Sequence, residues 1–396
     1  MRCTTCPIGR VVSISKDKIE PADFPEQIFN YVGLEHIEGH TGRILPHDET
    51  AGRELKSTKH TFHKNEILYG KLRPYLNKVH LAVRSGICST DILVIKPTTD
   101  TVLPAFIAYY LRSPALLAQV ERLMQGANLP RLSPDALLNL VMPVPSLSDQ
   151  ARLVSVLDKG ENLRLLRGQA DHRTADLIPA LFHEMFGDPT VNDHGYHVAT
   201  VESVFSKTRP GTRCGPFGSA LKKHEYVADG VPVWGIDNVR PNEFAENGSL
   251  FITAEKYAEL KNYAVESGDI LISRAGTVGR MCVARPRKQP SIIGTNLIRV
   301  SLNNAKVVPE YVSSLFTYFG DRVGKLRAAS DEGAYSFVQT GTLKSLTIPL
   351  PPIALQRKFA ERLKYARDLG ASQAESRQRL NDLFQSLLYR AFRGNL

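Results

Sequence analysis

The chain has 396 residues, 42% of them hydrophobic and 23% charged, and 50 lysines and arginines stand against 40 aspartates and glutamates. This length exceeds what one hydrophobic core usually organises, so two domains are expected, and no apolar run approaches the roughly 18 residues needed to cross a bilayer. The net charge of +10 favours a polyanionic partner, and a start without the apolar core of a secretory signal predicts a cytoplasmic location.

Five cysteines are scattered along the chain, an odd number that argues against a disulfide framework and predicts reduced thiols. They are Cys3, Cys6, Cys88, Cys214 and Cys282. Cys3 and Cys6 have the spacing of half a zinc site, but no second CxxC or closely spaced Cys/His pair completes one. We therefore interpret this spacing as chance and predict no metal site.

The first part of the chain reads as short strands followed by a helix. Residues 66–69 and 91–95 are strand-like runs between turn signals, and residues 104–111 begin with proline at a plausible first helical turn. Two loops, 71–78 and 125–132, combine basic, amide and aromatic side chains that could contact phosphates and base edges of nucleic acid. The candidates here are Lys71, Arg73, Tyr75, Lys78, Asn128 and Arg131.

A long helical pattern follows at about residue 147. Apolar residues step by three and four and predict a narrow seam containing Leu153, Leu157, Leu163, Leu177 and Leu181. At 1.5 Å per residue, a helix of roughly 30 to 40 residues would be about 45 to 60 Å long. Pro179 should kink or restart this helix.

The second part repeats this order of elements. Residues 231–236, 269–273 and 296–300 are predicted strands, and residues 309–316 again form a helix that begins with proline. Glycines here could simply serve turns, and any single lysine or arginine could simply be solvated, but their matching places in both halves favour a binding role. The candidates are Arg213, Phe217, Ser219, Lys222, Lys223, Arg274, Thr277, Arg280, Tyr335 and Gln339.

A second long helix closes the chain. Its predicted seam contains Phe359, Leu363, Leu369, Leu380, Leu383 and Leu387. Narrow seams of this length suit two helices that pack against each other as an antiparallel coiled coil. The alternative is that each helix packs only on its own domain, and the pair is favoured because an isolated stripe has little else to bury it.

An internal repeat organises these elements. Residues 142–150 (MPVPSLSDQ) return 206 positions later as residues 348–356 (IPLPPIALQ), and residues 31–37 (YVGLEHI) match residues 233–239 (VWGIDNV). The sequence therefore predicts two tandem α+β modules, each followed by a long helix. The predicted limits are 1–146 for the first module, 147–187 for the central helix, 188–352 for the second module and 353–396 for the distal helix.

Motifs of phosphoryl, hydride and methyl transfer are missing. The sequence has no GxxxxGK[ST], no GxGxxG after a strand, no Asn-Pro-Pro-aromatic signature and no HExxH arrangement. We accordingly predict no catalytic residue and no cofactor bound by this chain.

Several motifs together resemble the specificity subunit of type I restriction-modification systems over essentially the whole length. They are residues 71–75 (KLRPY), 215–221 (GPFGSAL), 268–274 (GDILISR) with 276–279 (GTVG), and 348–352 (IPLPP) before a helix led by Gln356. The first half departs from the pattern because it lacks the GPFGS motif. Recognition by the first module is therefore harder to assign to particular residues.

The resemblance implies a division of labour. In that family two target-recognition domains each read half of a bipartite, asymmetric duplex DNA sequence, and two long helices act as a spacer. The spacer helices also bind two methylation subunits, which carry S-adenosylmethionine, and a motor-nuclease subunit can join the complex. The expected protein is thus a DNA-recognition subunit without catalysis of its own.

Two other hypotheses remain open at the sequence level. The first is a methyltransferase or nuclease with cryptic motifs, which should itself bind S-adenosylmethionine or a metal. The second is a scaffold that pairs helical partners without binding DNA. Binding to DNA that weakens steeply with salt would exclude the scaffold.

Overall fold

The fold comes from a computed structural model, which describes residues 4–126, 128–217, 220–248, 250–274, 278–319 and 340–393. The chain divides into two compact units, here called unit 1 (Met1–Ala170 with Gln373–Leu396) and unit 2 (Asp171–Ser372). The division cuts both long helices. Each unit therefore contains one module and a part of each long helix.

Unit 1 begins with the strands and short helices of the first module. The strands are β1 (Thr4–Pro7), β2 (Val12–Ile14), β3 (Lys18–Ile19), β4 (Ile28–Phe29), β5 (Tyr31–Val32), β6 (Thr50–Ala51), β7 (Lys59–Phe62), β8 (Ile67–Gly70), β9 (Val79–Leu81), β10 (Gly86–Cys88), β11 (Ile92–Pro97) and β12 (Val141–Val144). The helices are α1 (Pro104–Leu111), α2 (Pro114–Leu123) and α3 (Pro134–Asn139), followed by the first long helix, α4 (Leu147–Phe186).

Unit 2 repeats this order with few changes. Its strands are β13 (His197–Thr200), β14 (Thr212–Cys214), β15 (Val231–Trp234), β16 (Val239–Arg240), β17 (Glu243–Phe244), β18 (Leu250–Ile252), β19 (Ile270–Ser273), β20 (Met281–Val283), β21 (Ile292–Ile293), β22 (Leu297–Val300) and β23 (Thr347–Leu350). Its helices are α5 (Ala254–Glu259), α6 (Pro309–Tyr318) and α7 (Thr340–Ser345), and the second long helix is α8 (Ile353–Ala391).

The central sheet is equivalent in the two modules. It is antiparallel, with the strand order β2-β11-β8-β9 in unit 1 and β14-β22-β19-β20 in unit 2. A smaller sheet in each module contains one parallel pair, β5 with β10 and β15 with β21. The strand that opens each module pairs antiparallel with the strand before the long helix, β1 with β12 and β13 with β23. The repeat seen in the sequence is therefore a repeat of topology.

The central strands are buried on both faces. Ile67 and Tyr69 of β8 belong to the core against α1, whereas Leu68 between them belongs to a second core on the opposite face. Residues 270–272 of β19 alternate between two cores in the same way. Alternation with a period of two is the geometry of a strand, and continuous apolar runs are expected when both faces are covered.

Two local predictions are confirmed at helix starts. Pro104 and Pro309 stand at the first positions of α1 and α6, where the missing N–H costs no hydrogen bond. Ser113 caps α2 by accepting a hydrogen bond from the backbone N–H of Leu116. Pro179 was predicted to kink or restart the first long helix; it does not restart it, because α4 continues through it to Phe186, and the kink stays a prediction.

The two long helices are antiparallel and pair within each unit. In unit 1, Gly160 of α4 lies against Phe384 of α8. In unit 2, Arg362 of α8 approaches Glu184 of α4, with Nη1 and Oε1 3.4 Å apart. The α+β fold with a paired spacer is therefore confirmed. The alternative arrangement is present as well, because the first turns of each helix also pack on their own module.

Candidate nucleic-acid interface and helix pair

In unit 1 the two predicted loops of the first module lie side by side. Leu72 and Arg131 form an isolated β-bridge. The backbone N–H of Arg73 donates to the carbonyl of Pro130 at 2.7 Å, and the N–H of Leu132 donates to the carbonyl of Lys71 at 3.0 Å. Residues 71–75 and 128–131 thus form one surface, here called the first basic surface.

The side chains of this surface differ in their exposure to solvent. Arg73 is exposed and has a positive φ of 50°, and Tyr75 is 39% exposed. Asn128 is exposed, and Arg131 is half-exposed with its Nη2 3.6 Å from Asp91 Oδ1. A cation and an aromatic ring on neighbouring turns can contact a phosphate and a base or sugar together.

Lys78 is placed differently from its predicted neighbours. Its Nζ donates a hydrogen bond to the carbonyl oxygen of Leu34 at 2.5 Å, and the residue is partly buried. The next residue in sequence, Asn77, is buried and donates from Nδ2 to the carbonyl of Arg112 at 3.0 Å. This end of the loop is therefore fixed to the module, and the exposed cations lie nearer its start.

In unit 2 the equivalent loop follows β19 as residues 71–78 follow β8. The guanidinium of Arg274 stacks over the ring of Phe217, 4.7 Å from its centroid, and Phe217 is 52% exposed. Two residues that are 57 positions apart in sequence are thus brought together. An arginine stacked on an exposed aromatic ring keeps a defined orientation toward solvent.

A shallow cavity of about 390 Å³ lies beside this loop, and two of the charged residues that line it were not singled out from the sequence. Arg280, which was predicted, lines it together with Arg240 and Asp237, which were not. Arg240 belongs to β16 of only two residues, which is too short for a periodicity to be seen.

The remaining candidates of unit 2 fall into three groups. Lys222 and Lys223 are exposed. Arg213 stacks on Tyr263 with its guanidinium carbon 4.7 Å from the ring centroid, and it pairs across β14 and β22 with the buried Arg299. Burial, together with the nearby Arg209, lowers the pKa of Arg299 to about 10. The other candidates, Ser219, Thr277, Tyr335 and Gln339, lie outside the described residues.

The seam between the helices differs from the predicted one at four leucines. Leu153, Leu157, Phe359 and Leu363 are buried as predicted, and Leu181, Leu380 and Leu387 are partly buried. Leu163, Leu177, Leu369 and Leu383 are instead exposed by 53%, 42%, 47% and 53%, so their assignment to the seam is wrong. A straight helix drifts about 20° per heptad from a 3.5-residue repeat, which moves the contact to other positions.

In unit 1 the contact passes through Gly160 and Arg164 instead of Leu163. A Cβ atom on Gly160 would stand 2.8 Å from the ring of Phe384. Arg164 donates from Nε to Asn381 Oδ1 at 2.9 Å, and its guanidinium lies 4.8 Å from the centroid of Phe384. A small residue and a flat guanidinium allow the two helices to approach closely at this level.

The displaced leucines form a groove on the surface of unit 1. This leucine groove, with a volume of about 460 Å³, is lined by Leu163, Leu166, Arg167, Ala170, Ser376, Arg379, Leu380 and Leu383. Leu369 and Leu177 stand at the positions equivalent to Leu163 and Leu383, 206 residues away, and both are exposed in unit 2. The leucines at these matched positions are therefore exposed in both units.

These positions give a first testable result. Leu163→Asp is expected to leave the helices of unit 1 paired, with a change in the free energy of unfolding within about 0.5 kcal/mol, because the side chain already faces water. Gly160→Leu should destabilise unit 1 by about 1–3 kcal/mol, because Phe384 leaves no space for the new side chain. Urea unfolding monitored by circular dichroism measures both. Equal losses for the two variants would contradict this seam.

Metal and membrane sites have no support in the described part of the chain. Among those residues no group of three or more His, Cys, Asp or Glu could hold a metal ion. Cys6 is half-buried, and Cys3 lies outside the described residues. Within the same ranges no helix is both long and apolar enough to span a bilayer.

Comparison with known sequences gives consistent matches. The family model of the type I restriction modification DNA specificity domain matches residues 50–170 and 217–381. The specificity subunit of the type I restriction enzyme EcoKI from Escherichia coli K12 is 24% identical over 332 residues, which are 76% of this chain and 68% of that protein. The MjaVIII specificity subunit of Methanocaldococcus jannaschii is 20% identical over 299 residues, 71% of this chain and 67% of that protein.

Solved structures with the same fold cover nearly the whole chain. A chain from a study described as the structural basis of complex assembly and conformational transition of the type I R-M system has a TM-score of 0.65 at 22% identity, covering 100% of this chain and 98% of its own. The S subunit of a type I restriction-modification system from M. genitalium has a TM-score of 0.57 at 16% identity, covering 99% of this chain and 96% of its own.

Proposed function

This chain belongs to the family of type I restriction-modification specificity subunits, and from that premise we propose that its two modules bind the two halves of a bipartite duplex DNA target. The single observation that carries the proposal is that equivalent loops after β8 and β19 each present a cation, Lys71 and Arg274, the second of which stacks on the exposed ring of Phe217. Membership in a family of recognition subunits disfavours both the cryptic enzyme and the scaffold without DNA.

The chemistry of the two surfaces supports different readout in the two modules. The first basic surface offers Arg73, Tyr75, Asn128 and Arg131 on adjoining turns. The surface of unit 2 offers the Arg274–Phe217 stack and the cavity with Arg240 and Arg280. An asymmetric target requires equivalent loops with unlike side chains. The shared fold sets the backbone positions of the loops, whereas the side chains determine which bases are contacted.

The leucine groove supports a proposal about partners. We propose that it receives one methylation subunit, and that the equivalent exposed leucines of unit 2, Leu369 and Leu177, receive a second. Two matched sites on one chain would give two methylation subunits per specificity subunit. S-adenosylmethionine would be carried by those subunits, a motor-nuclease subunit could join them, and the complex would act in the cytoplasm.

The DNA-binding proposal predicts loss of affinity from single loop substitutions in the complex with its methylation partner. Lys71→Ala or Arg274→Ala should weaken binding to the recognised duplex by about tenfold and lower the salt slope by about one, because each removes one phosphate or base contact. Fluorescence anisotropy at several salt concentrations measures both quantities. Assembly with the methylation partner should be unchanged.

Lys64→Ala is the matched control for Lys71→Ala. Lys64 is an exposed cation of the same module, but it precedes β8, whereas Lys71 follows this strand. Equal affinity of the Lys71 and Lys64 variants would remove the first basic surface from the site. The target itself is found by co-expressing the chain with its methylation partner and mapping methylated positions across the genome, where a two-part motif with a fixed gap is expected.

A further inference from the structure

The two long helices carry opposite charges at equivalent positions in their N-terminal halves. Asp158 and Glu161 of α4 correspond, 206 residues later, to Lys364 and Arg367 of α8. Apart from these pairs, the contacts of each helix with its module are alike: Gln150 and Gln356 each bond backbone groups of their own module, and the rest are apolar. Leu153 and Leu157 in unit 1 and Phe359 and Leu363 in unit 2 are all buried in the core of their own module.

In unit 1 the acidic pair faces a cation and a hydroxyl of the module. Nη2 of Arg112, the C-cap residue of α1, is 2.7 Å from Glu161 Oε1, and the two side chains are 10% and 17% exposed. The hydroxyl of Tyr109 donates to Asp158 Oδ1 at 2.6 Å. Arg112 also stacks on Tyr109 at 4.7 Å and donates to the carbonyl of Thr41.

In unit 2 the basic position faces acceptors instead. Nη2 of Arg367 donates to Oδ1 of Asn242 at 2.8 Å. The hydroxyl of Ser313 also donates to this oxygen, at 2.9 Å, and Asn242 is buried. Burial lowers the pKa of Arg367, while the carboxylate of the buried Glu310 in the same module acts in the opposite direction. The second module thus supplies a hydrogen-bond acceptor, the amide oxygen of Asn242, where the first supplies a cation.

The two contacts reach equivalent turns, one in each module. His40 and Asn242, 202 positions apart, have positive φ values of 62° and 58°. Arg112 links Glu161 to Thr41, the neighbour of His40, and Arg367 bonds Asn242 directly. The turn in unit 1 also packs on the loop after β8, because the N–H of His40 donates to the carbonyl of Asn77 at 3.0 Å. The polar contact therefore lies between the long helix and the DNA-facing loop.

We propose that these charges match each module to its own helix. The acidic positions of α4 fit the first module, the basic positions of α8 fit the second, and a chain with a module in the wrong place would be less stable. Seating the first module on α8 would place Arg112 against Arg367 and Tyr109 against Lys364. Two arginines facing each other in a buried contact repel and lose their acceptors, whereas the apolar contacts would fit either way. Arg112, Glu161, Asn242 and Arg367 are positioning residues. The asymmetric DNA recognition proposed above requires that each module keep its own position in the chain.

One test uses the full chain and reverses the charge at position 161. Arg112→Ala should lower the Tm of the natural chain by about 5 °C, because it breaks a buried ion pair. In a Glu161→Arg chain the same substitution should raise the Tm, because it removes a like-charge contact. Arg122→Ala, at an exposed position of α2, should have little effect in either chain. A fall of equal size for Arg112→Ala in both chains would overturn the proposal.

A second test uses a chain with two first modules, in which a copy of residues 4–144 replaces residues 197–350. Arg367→Glu should lower the Tm of the natural chain but raise that of the duplicated chain, whereas Arg357→Glu, an exposed position of α8, should affect the two alike. A fall in both chains would overturn the matching. Neither melting test involves DNA, so a failure of DNA binding would reject the proposed function separately.

Discussion

Replacing Gln150 with leucine is expected to destabilise unit 1 by about 3 kcal/mol or more. Gln150 is fully buried at the start of α4. Its Nε2 donates to the carbonyls of Thr101 and Pro145 at 2.9 and 2.8 Å, and its Oε1 accepts the N–H of Leu103 at 2.8 Å. Leucine has a similar size but leaves without a partner the buried carbonyl of Pro145 and the partly buried backbone groups of Thr101 and Leu103, at up to about 1–3 kcal/mol each. Urea unfolding gives the loss.

Gln169→Leu is the matched control, since Gln169 is an exposed residue of the same helix and its replacement should cost within about 0.5 kcal/mol. Gln356 has the equivalent place in unit 2, where it accepts the N–H of Val308 at 2.9 Å and donates to the carbonyl of Pro351 at 2.7 Å. With two bonds instead of three, Gln356→Leu should cost less than Gln150→Leu. A Gln150 variant as stable as the Gln169 variant would show that the buried amide does not hold the helix to the module.

Phe182→Ala is expected to destabilise unit 2 by about 3–5 kcal/mol, the usual cost of removing a fully buried aromatic side chain. Phe182 of α4 is fully buried. Its ring centroid lies 4.8 to 5.5 Å from those of four other rings, Phe186, Tyr311, Phe319 and Phe359. These rings come from both long helices and from the module, so the cavity would weaken all three contacts. Calorimetry of the full chain measures the loss.

Leu177→Ala provides the comparison on the same helix. Leu177 is 42% exposed, so its replacement should cost well under 1 kcal/mol. The pattern in the sequence makes the opposite prediction, because it assigns Leu177 to the seam. A larger loss for the Leu177 variant than for the Phe182 variant would therefore restore the predicted seam and contradict the structure.

The repeat and the element types could be predicted because their signals are local. Proline at the first turn, glycine and asparagine at turns, and apolar periods of two or three to four depend on residues within one or two turns of each other. They correctly placed the helices that begin at Pro104 and Pro309 and both long helices. The sequence favoured a helix pair over helices packed only on their own modules, and the structure contains both contacts.

The candidate binding surfaces were predicted loop by loop, not as surfaces. Nothing in the spacing of Leu72 and Arg131 indicates that they pair, and the stack of Arg274 on Phe217 joins different parts of the second module. Lys78 was chosen for its charge, yet its ammonium group is bonded to the carbonyl of Leu34. Charge and residue type are properties of the sequence, whereas the direction of a side chain depends on the neighbours that the fold supplies.

The sequence by itself determined that this protein has two related α+β modules and two long antiparallel helices, because short-range periods and a repeat of 206 residues are written in the order of residues. Only the tertiary structure decided which residues form the seam, which leucines are exposed, and which charges face each module. Those outcomes depend on the rotation of one helix against another and on contacts such as Arg112 with Glu161, 49 residues apart, which no local pattern specifies.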